Sequence, residues 1–132
     1  MTAGKVILIP TVLHEDADNS IPSYVIEQAK LCDAYFVENE KTARKFIKSI
    51  HPEKKQPELK INVLNKHTEI SAHYEFIQPL LNGENMGLMS ESGCPGIADP
   101  GAVIVKLAHE KGIQVVPLVG PSSILLALMA SG

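Results

Sequence analysis

Short apolar runs alternate with helix-patterned stretches along the whole chain, and that alternation narrows the available folds more than any other feature. Lys5–Pro10 (KVILIP), Ala34–Glu38 (AYFVE), Ile61–Leu64 (INVL), Gly87–Ser90 (GLMS) and Gln114–Val119 each read as a strand. They are short and apolar throughout, as strands buried on both faces are. A helix is predicted after each. Ser20 is an N-cap, with Pro22 in the first turn of a helix to about Leu31, and Asn39 caps a helix to about Ser49. A polar loop with Pro52 and Pro57 covers 51–60, and Thr68 then caps a helix from Glu69 to about Leu81. Asn82–Asn85 is a turn, Ala102–Glu110 is a helix ended by Gly112, and a last helix runs from Pro121 to about Ala130. Right-handed crossovers convert this order into an α/β fold, a five-stranded parallel sheet with helices on both faces. Ligands of such sheets bind beyond the carboxyl ends of the strands.

A chain of 132 residues suggests one domain and can bury a core without staples. The net charge of −3 gives no overall attraction for nucleic acid. Lys41, Arg44, Lys45 and Lys48 form a local cationic group that reads first as a solvated helix face. Cys32 and Cys94 are far apart in unlike contexts, so a reducing cytoplasm is expected rather than a disulfide framework. No zinc-type spacing occurs among the histidines and cysteines. The amino terminus lacks the pattern of a signal peptide, and the apolar stretch Val115–Ala130 is broken by Pro117, Gly120 and Pro121, so no membrane span is expected. The last helix has almost no polar face. Either a further domain or subunit covers it, or it is a central helix of this domain.

Three segments at strand ends are the candidates for chemistry. The most informative is Leu88–Gly101, LMSESGCPGIADPG. Its glycines allow close backbone approach, and Pro95 and Pro100 stiffen it. Such a loop offers backbone donors and acceptors, which suits a neutral adenine or methionine moiety; a rigid connection without a ligand is the alternative. Asp99 before Pro100 suits the capping of the next helix. Val119–Ser123 opens the last helix with free N–H groups and two hydroxyls, fit for a carboxylate or ribose or for simple capping. Glu38–Arg44 puts a carboxylate and cations at the same sheet edge, an arrangement that ordinary helix opening also explains. No G-x-G-x-x-G follows the first strand, and neither a P-loop nor a G-x-S-x-G elbow exists.

At these segments the chain resembles a known family. SESGCPGIADPG is similar to the S-D-A-G-T-P-G-I-S-D-P-G signature of the ribosomal small-subunit RNA 2′-O-methyltransferases, a branch of the tetrapyrrole methylase class. VVPLVGPSSILLALMASG, VENEKTARKF and LIPT resemble further segments of that branch in the same order. The resemblance implies that residues 1–132 are the amino-terminal domain of a two-domain methyltransferase. S-adenosylmethionine (SAM) would lie in the cleft between the domains, and the protein would be a homodimer acting on ribosomal RNA. It implies SAM contacts for Ser90, Glu91, Ser92, Gly93, Cys94, Pro95, Ser122 and Ser123, with Pro10 and Arg44 toward the substrate. Glu38 is the candidate base for a ribose hydroxyl. Glu91 and Cys94 stand where the signature has Asp and Thr, and Asn39 replaces the Asp of a Glu-Asp pair. Val12-Leu13-His14-Glu15 replaces Pro-Ile-Gly-Asn after the first strand. A tetrapyrrole or other small-molecule methyltransferase and a non-catalytic SAM-binding or dimerisation domain are the alternatives.

Overall fold

In the computed structural model, residues 2–16, 18–64, 67–68, 70–97 and 100–132 are described. The chain order is β1 (Lys5–Leu8), α1 (Ser23–Lys30), β2 (Ala34–Val37), α2 (Glu40–Ile50), β3 (Ile61–Val63), α3 (Ile70–Phe76), α4 (Gln78–Leu81), β4 (Met86–Met89), α5 (Ala102–Glu110), β5 (Gln114–Pro117) and α6 (Ser123–Ser131). The five strands form one parallel sheet in the order β3-β2-β4-β1-β5.

The uniform apolarity of the strands is explained by a core on each face. Successive side chains on a strand point to opposite faces. Val6, Ala34, Phe36, Met86 and Leu88 therefore pack with Ile77 and Leu80 beside α3 and α4 and with Ile104, Leu107 and Ala108 of α5. Ile7, Ile9, Tyr35, Val37 and Met89 pack on the other face with Val25 and Ala29 of α1 and Ala43, Phe46 and Ile47 of α2. Gly87 is in β4 because that second face is full there. A Cβ on it would lie 2.5 Å from Ile9 Cδ1 and 2.8 Å from a Tyr35 ring carbon.

The topology also positions the site. β1 and β4 are neighbours, yet the chain leaves β1 for α1 on one face and leaves β4 for α5 on the other. Loops that diverge in this way leave a crevice at the carboxyl edge, the switch point of a doubly wound sheet.

Local rules hold at several ends and fail at two. Asn39 Oδ1 accepts the Thr42 N–H at 3.1 Å, as an N-cap should. Gly112 takes φ 69° after α5, where its missing Cβ permits a left-handed residue. Ser20, expected to cap α1, instead closes a 3-10 turn over Asp18–Ser20. Pro22 is extended (φ −60°, ψ 145°) and takes the cap position itself, so the helix begins at Ser23. The helix expected through Leu81 is divided at Ile77. Pro79 lacks an N–H and its ring excludes the carbonyl four residues back, so α3 cannot continue through it. Glu69, the expected first residue of that helix, lies outside the described residues, as does Asp99, the expected cap of α5; Gly101 occupies the cap position there.

Burial fixes two protonation states. The Cys32 thiol is pushed from 9.0 up to about 12, by burial first and by the Asp33 carboxylate second. The folded chain then keeps this proton when the unfolded chain has lost it. The associated stability is whole below the unfolded-state pKa and is lost as pH climbs from 9.0 toward about 12. Cys32→Ala should flatten the fall in denaturation midpoint over that range. The Tyr35 hydroxyl is likewise pushed upward by burial, and it donates to the Ala29 carbonyl at 2.8 Å. Tyr35→Phe removes that bond while keeping the ring, and should lower unfolding free energy by about 1 kcal/mol in urea titration at pH 7.

Candidate functional site

Three segments converge on the loop that follows β4. Inside the loop, Ser90 Oγ donates to the carbonyls of Ser92 (3.0 Å) and Gly93 (3.1 Å), which curls the backbone on itself. From β1, the Thr11 N–H donates to the Gly93 carbonyl at 3.1 Å, and the two residues form an isolated antiparallel bridge. From β2, Glu38 Oε2 accepts the Glu91 N–H at 3.1 Å. From the turn after β5, the carbonyls of Gly120 and Pro121 accept the Cys94 thiol at 3.4 and 3.3 Å. The loop is thereby tied to the ends of β1, β2 and β5 at once.

Two glycines make this convergence possible. Gly93 has φ 75°, in the left-handed region that favours glycine. A Cβ there would also lie 3.0 Å from Leu13 Cδ2 and 3.1 Å from the Pro121 carbonyl oxygen. A Cβ on Gly120 would collide with the ring of Pro10. Pro10 thus lies against the turn after β5. Ser122 caps α6, its Oγ accepting the Leu125 N–H at 3.2 Å, and Ser123 is the first residue of that helix.

Beside the loop, a hollow of about 660 Å³ is walled by residues 11–16 after β1, by Thr42, Lys45, Phe46 and Ser49 of α2, and by Ser90–Ser92. That is the size of a small-molecule site. Its rim is more acidic than basic. Glu15, Asp16 and Glu91 stand against Lys45, whose Nζ lies 3.1 Å from Glu15 Oε2. The bond and charge of Lys45, and then the charge of His14, hold the Glu15 carboxyl below its usual range. Among its lining residues Thr11 is 4% exposed, and its Oγ1 has no hydrogen-bond partner among the described residues.

Of the residues predicted from sequence, Ser90–Pro95, Glu38 and Pro10 meet around the loop, with the turn that carries Ser122 and Ser123 beside them. Arg44 does not join them. Its guanidinium donates to the Gln56 carbonyl at 2.9 Å and reaches Glu40 Oε1 at 3.4 Å, bracing the loop before β3. Sequence reasoning did not single out Thr11, Leu13 or Lys45 as site residues. Nothing in a linear pattern marks a buried hydroxyl, or an α2 lysine that reaches the loop after β1. Among the described residues no group of three or more His, Cys, Asp or Glu side chains is arranged to hold a metal ion, and no helix is long and apolar enough to cross a membrane.

A parallel α/β sheet with a glycine-rich loop pinned at its switch point is consistent with a methylase domain. Comparison with known proteins makes the class specific. No family model matches the chain. It is similar to "Ribosomal RNA small subunit methyltransferase I" of Bacillus subtilis, at 33% identity over 129 residues, which are 98% of this chain and 42% of that protein. The proteins of the same name from Xylella fastidiosa and Escherichia coli O157:H7 are each 41% identical over 69 residues, 52% of this chain. Those matches cover 25% and 24% of the two proteins. The chain is therefore a homologue of the small-subunit ribosomal RNA methyltransferases, and spans about two fifths of the Bacillus protein.

Burial raises the pKa of the Cys94 thiol, and two carbonyls accept its hydrogen. Only thiolate reacts with iodoacetamide. At pH 8, Cys94 should be alkylated more slowly than a free thiol, whose pKa is about 8.5. A rate equal to that of glutathione would contradict the hydrogen-bonded geometry.

Proposed function

We propose that this chain is the amino-terminal domain of a SAM-dependent methyltransferase that modifies a ribose 2′-hydroxyl of ribosomal RNA. The observation that carries the proposal is the Ser90–Pro95 loop, held by β1, β2 and the turn after β5. Similarity to a ribosomal RNA methyltransferase over 98% of the chain supports it.

The donor set fits such a cofactor. The loop and the start of α6 present backbone amides, carbonyls and hydroxyls, the groups that suit adenine, ribose and an amino-acid end. Bound SAM would supply an electrophilic methyl group on a sulfonium. The residues of this chain would hold the cofactor and shape the approach of the nucleophile, since in-line displacement gains most from orientation. Ser90–Pro95, Ser122 and Ser123 take the cofactor side, and Pro10 lies where β1 enters the crevice. Glu38 is the candidate to accept the ribose proton, with its bond to the Glu91 N–H fixing its direction.

We assign the rest of the SAM cleft to a second domain. The exposure of Ile124, Leu125, Leu126, Leu128 and Met129 on α6 supports a covering domain or a second copy. Homodimeric assembly and a cytoplasmic site of action belong to the same proposal. One observation favours a second reading. The acidic excess on the hollow's rim suits an uncharged or cationic small substrate better than a phosphate-rich one.

Calorimetric titration of SAM and S-adenosylhomocysteine into the full-length protein, with this chain alongside, tests the proposal. Binding by the full-length protein and little by residues 1–132 is expected; a folded full-length protein that binds neither compound would overturn it. Gly93→Val places a branched side chain at φ 75° against Leu13 and Pro121, and should abolish SAM binding while the protein stays folded. Glu38→Gln keeps an acceptor for the Glu91 N–H but loses basicity. Methyl transfer should fall by about 10²- to 10⁴-fold with SAM affinity unchanged. An unchanged rate would remove Glu38 as the base.

A further inference from the structure

We infer that Thr11 is a substrate-binding residue whose hydroxyl accepts or donates a hydrogen bond to a sugar hydroxyl of a ribonucleoside seated in the hollow beside the loop. The inference rests on the methyltransferase reading above and names the group that reads the substrate.

A buried hydroxyl without a partner is costly, and native proteins rarely keep one without a use. Thr11 is 4% exposed, and its Oγ1 is unpartnered among the described residues. The backbone of Thr11 is not free to move the group elsewhere, because its N–H is bonded to the Gly93 carbonyl at 3.1 Å. Thr11 also lines the hollow of about 660 Å³, so the residue that carries the orphaned oxygen stands at a cavity wall and not in a sealed core. A threonine costs more here than the nearly isosteric valine, unless something in the hollow completes its bonding.

The walls identify the class of ligand. Phe46 offers an aromatic surface, Thr42, Ser49 and Ser90 offer hydroxyls, and Lys45 is already paired with Glu15. Glu15, Asp16 and Glu91 together disfavour a phosphate inside the hollow. An uncharged sugar and base therefore enter, while the phosphates of a polynucleotide remain outside. The bond between Thr11 and Gly93 then sets the ligand's sugar beside the loop assigned to SAM.

The test is a double-mutant cycle in the full-length protein with S-adenosylhomocysteine present. A short ribo-oligonucleotide and its 2′-deoxy counterpart are titrated against the wild type, Thr11→Val and Thr11→Ser, and melting temperatures are measured without ligand. The wild type should prefer the ribo-oligonucleotide. Thr11→Val should lose about threefold to tenfold of that preference with deoxy affinity unchanged, Thr11→Ser should retain it, and Thr11→Val should melt at least as high as wild type. An equal ribo-to-deoxy ratio in wild type and Thr11→Val, in proteins that still bind SAM, would overturn the role of Thr11 and leave the methyltransferase reading standing. A wild-type protein that binds neither S-adenosylhomocysteine nor either oligonucleotide would overturn both.

Discussion

The hydrogen bond from the Thr11 N–H to the Gly93 carbonyl closes a place where this sheet would otherwise open. β1 and β4 lie side by side, but the helices that follow them go to opposite faces. Two loops leaving in opposite directions have no reason to stay together. The Thr11–Gly93 bridge makes them do so, and the remaining ties of the loop are built around it. Glu38 fixes Glu91 from one side, and the turn after β5 accepts the Cys94 thiol from the other. Gly93 is necessary because its φ of 75° turns the carbonyl toward β1 while leaving room for Leu13 and Pro121.

Preorganisation is the energetic meaning of this arrangement. A glycine-rich loop has much conformational entropy to lose when a ligand orders it. Here the loop is already tied at Ser90, Glu91, Gly93 and Cys94 before any ligand arrives. These bonds are made during folding, so a ligand meets a surface that is largely formed. The hollow differs in character. Its residues 12–16 contribute an exposed Glu15–Lys45 pair, and such pairs add little stability. The loop is held in place, and the hollow keeps a wall that a partner can rearrange at small cost.

The fold was legible because it depends on repeated, redundant signals. Five apolar runs and the turn residues between them determine a parallel sheet, and an error of two residues at a strand end changes nothing in the topology. Where a single residue decides, local patterns competed. Ser20 and Pro22 both suit a helix start, and only the extended φ and ψ of Pro22 show which one ends the preceding turn. Pro79 breaks its helix by backbone chemistry that the apolar periodicity around it conceals. The glycine-rich loop stood out for the same reason it works, since close backbone contacts need residues with no or little side chain. Arg44 shows the opposite case. A charged residue at a strand's carboxyl edge looks like a ligand-binding group, yet its direction depends on the helical phase, which turns it toward Gln56. Thr11 gave no signal because burial of a hydroxyl is a property of the packed molecule.

The exposed α6 has a physical consequence for handling the chain. Five large apolar side chains of that helix are each more than half exposed, from 51% for Leu126 to 69% for Met129. Attraction between such surfaces is driven by solvent entropy near room temperature, weakens on cooling, and strengthens in sulfate or phosphate. With α6 uncovered, the molecule is stickiest when warm and in kosmotropic salt, and most dispersed when cold and in dilute neutral buffer. The stretch that carries the least polar information thus sets the solution conditions under which copies of this chain stay apart.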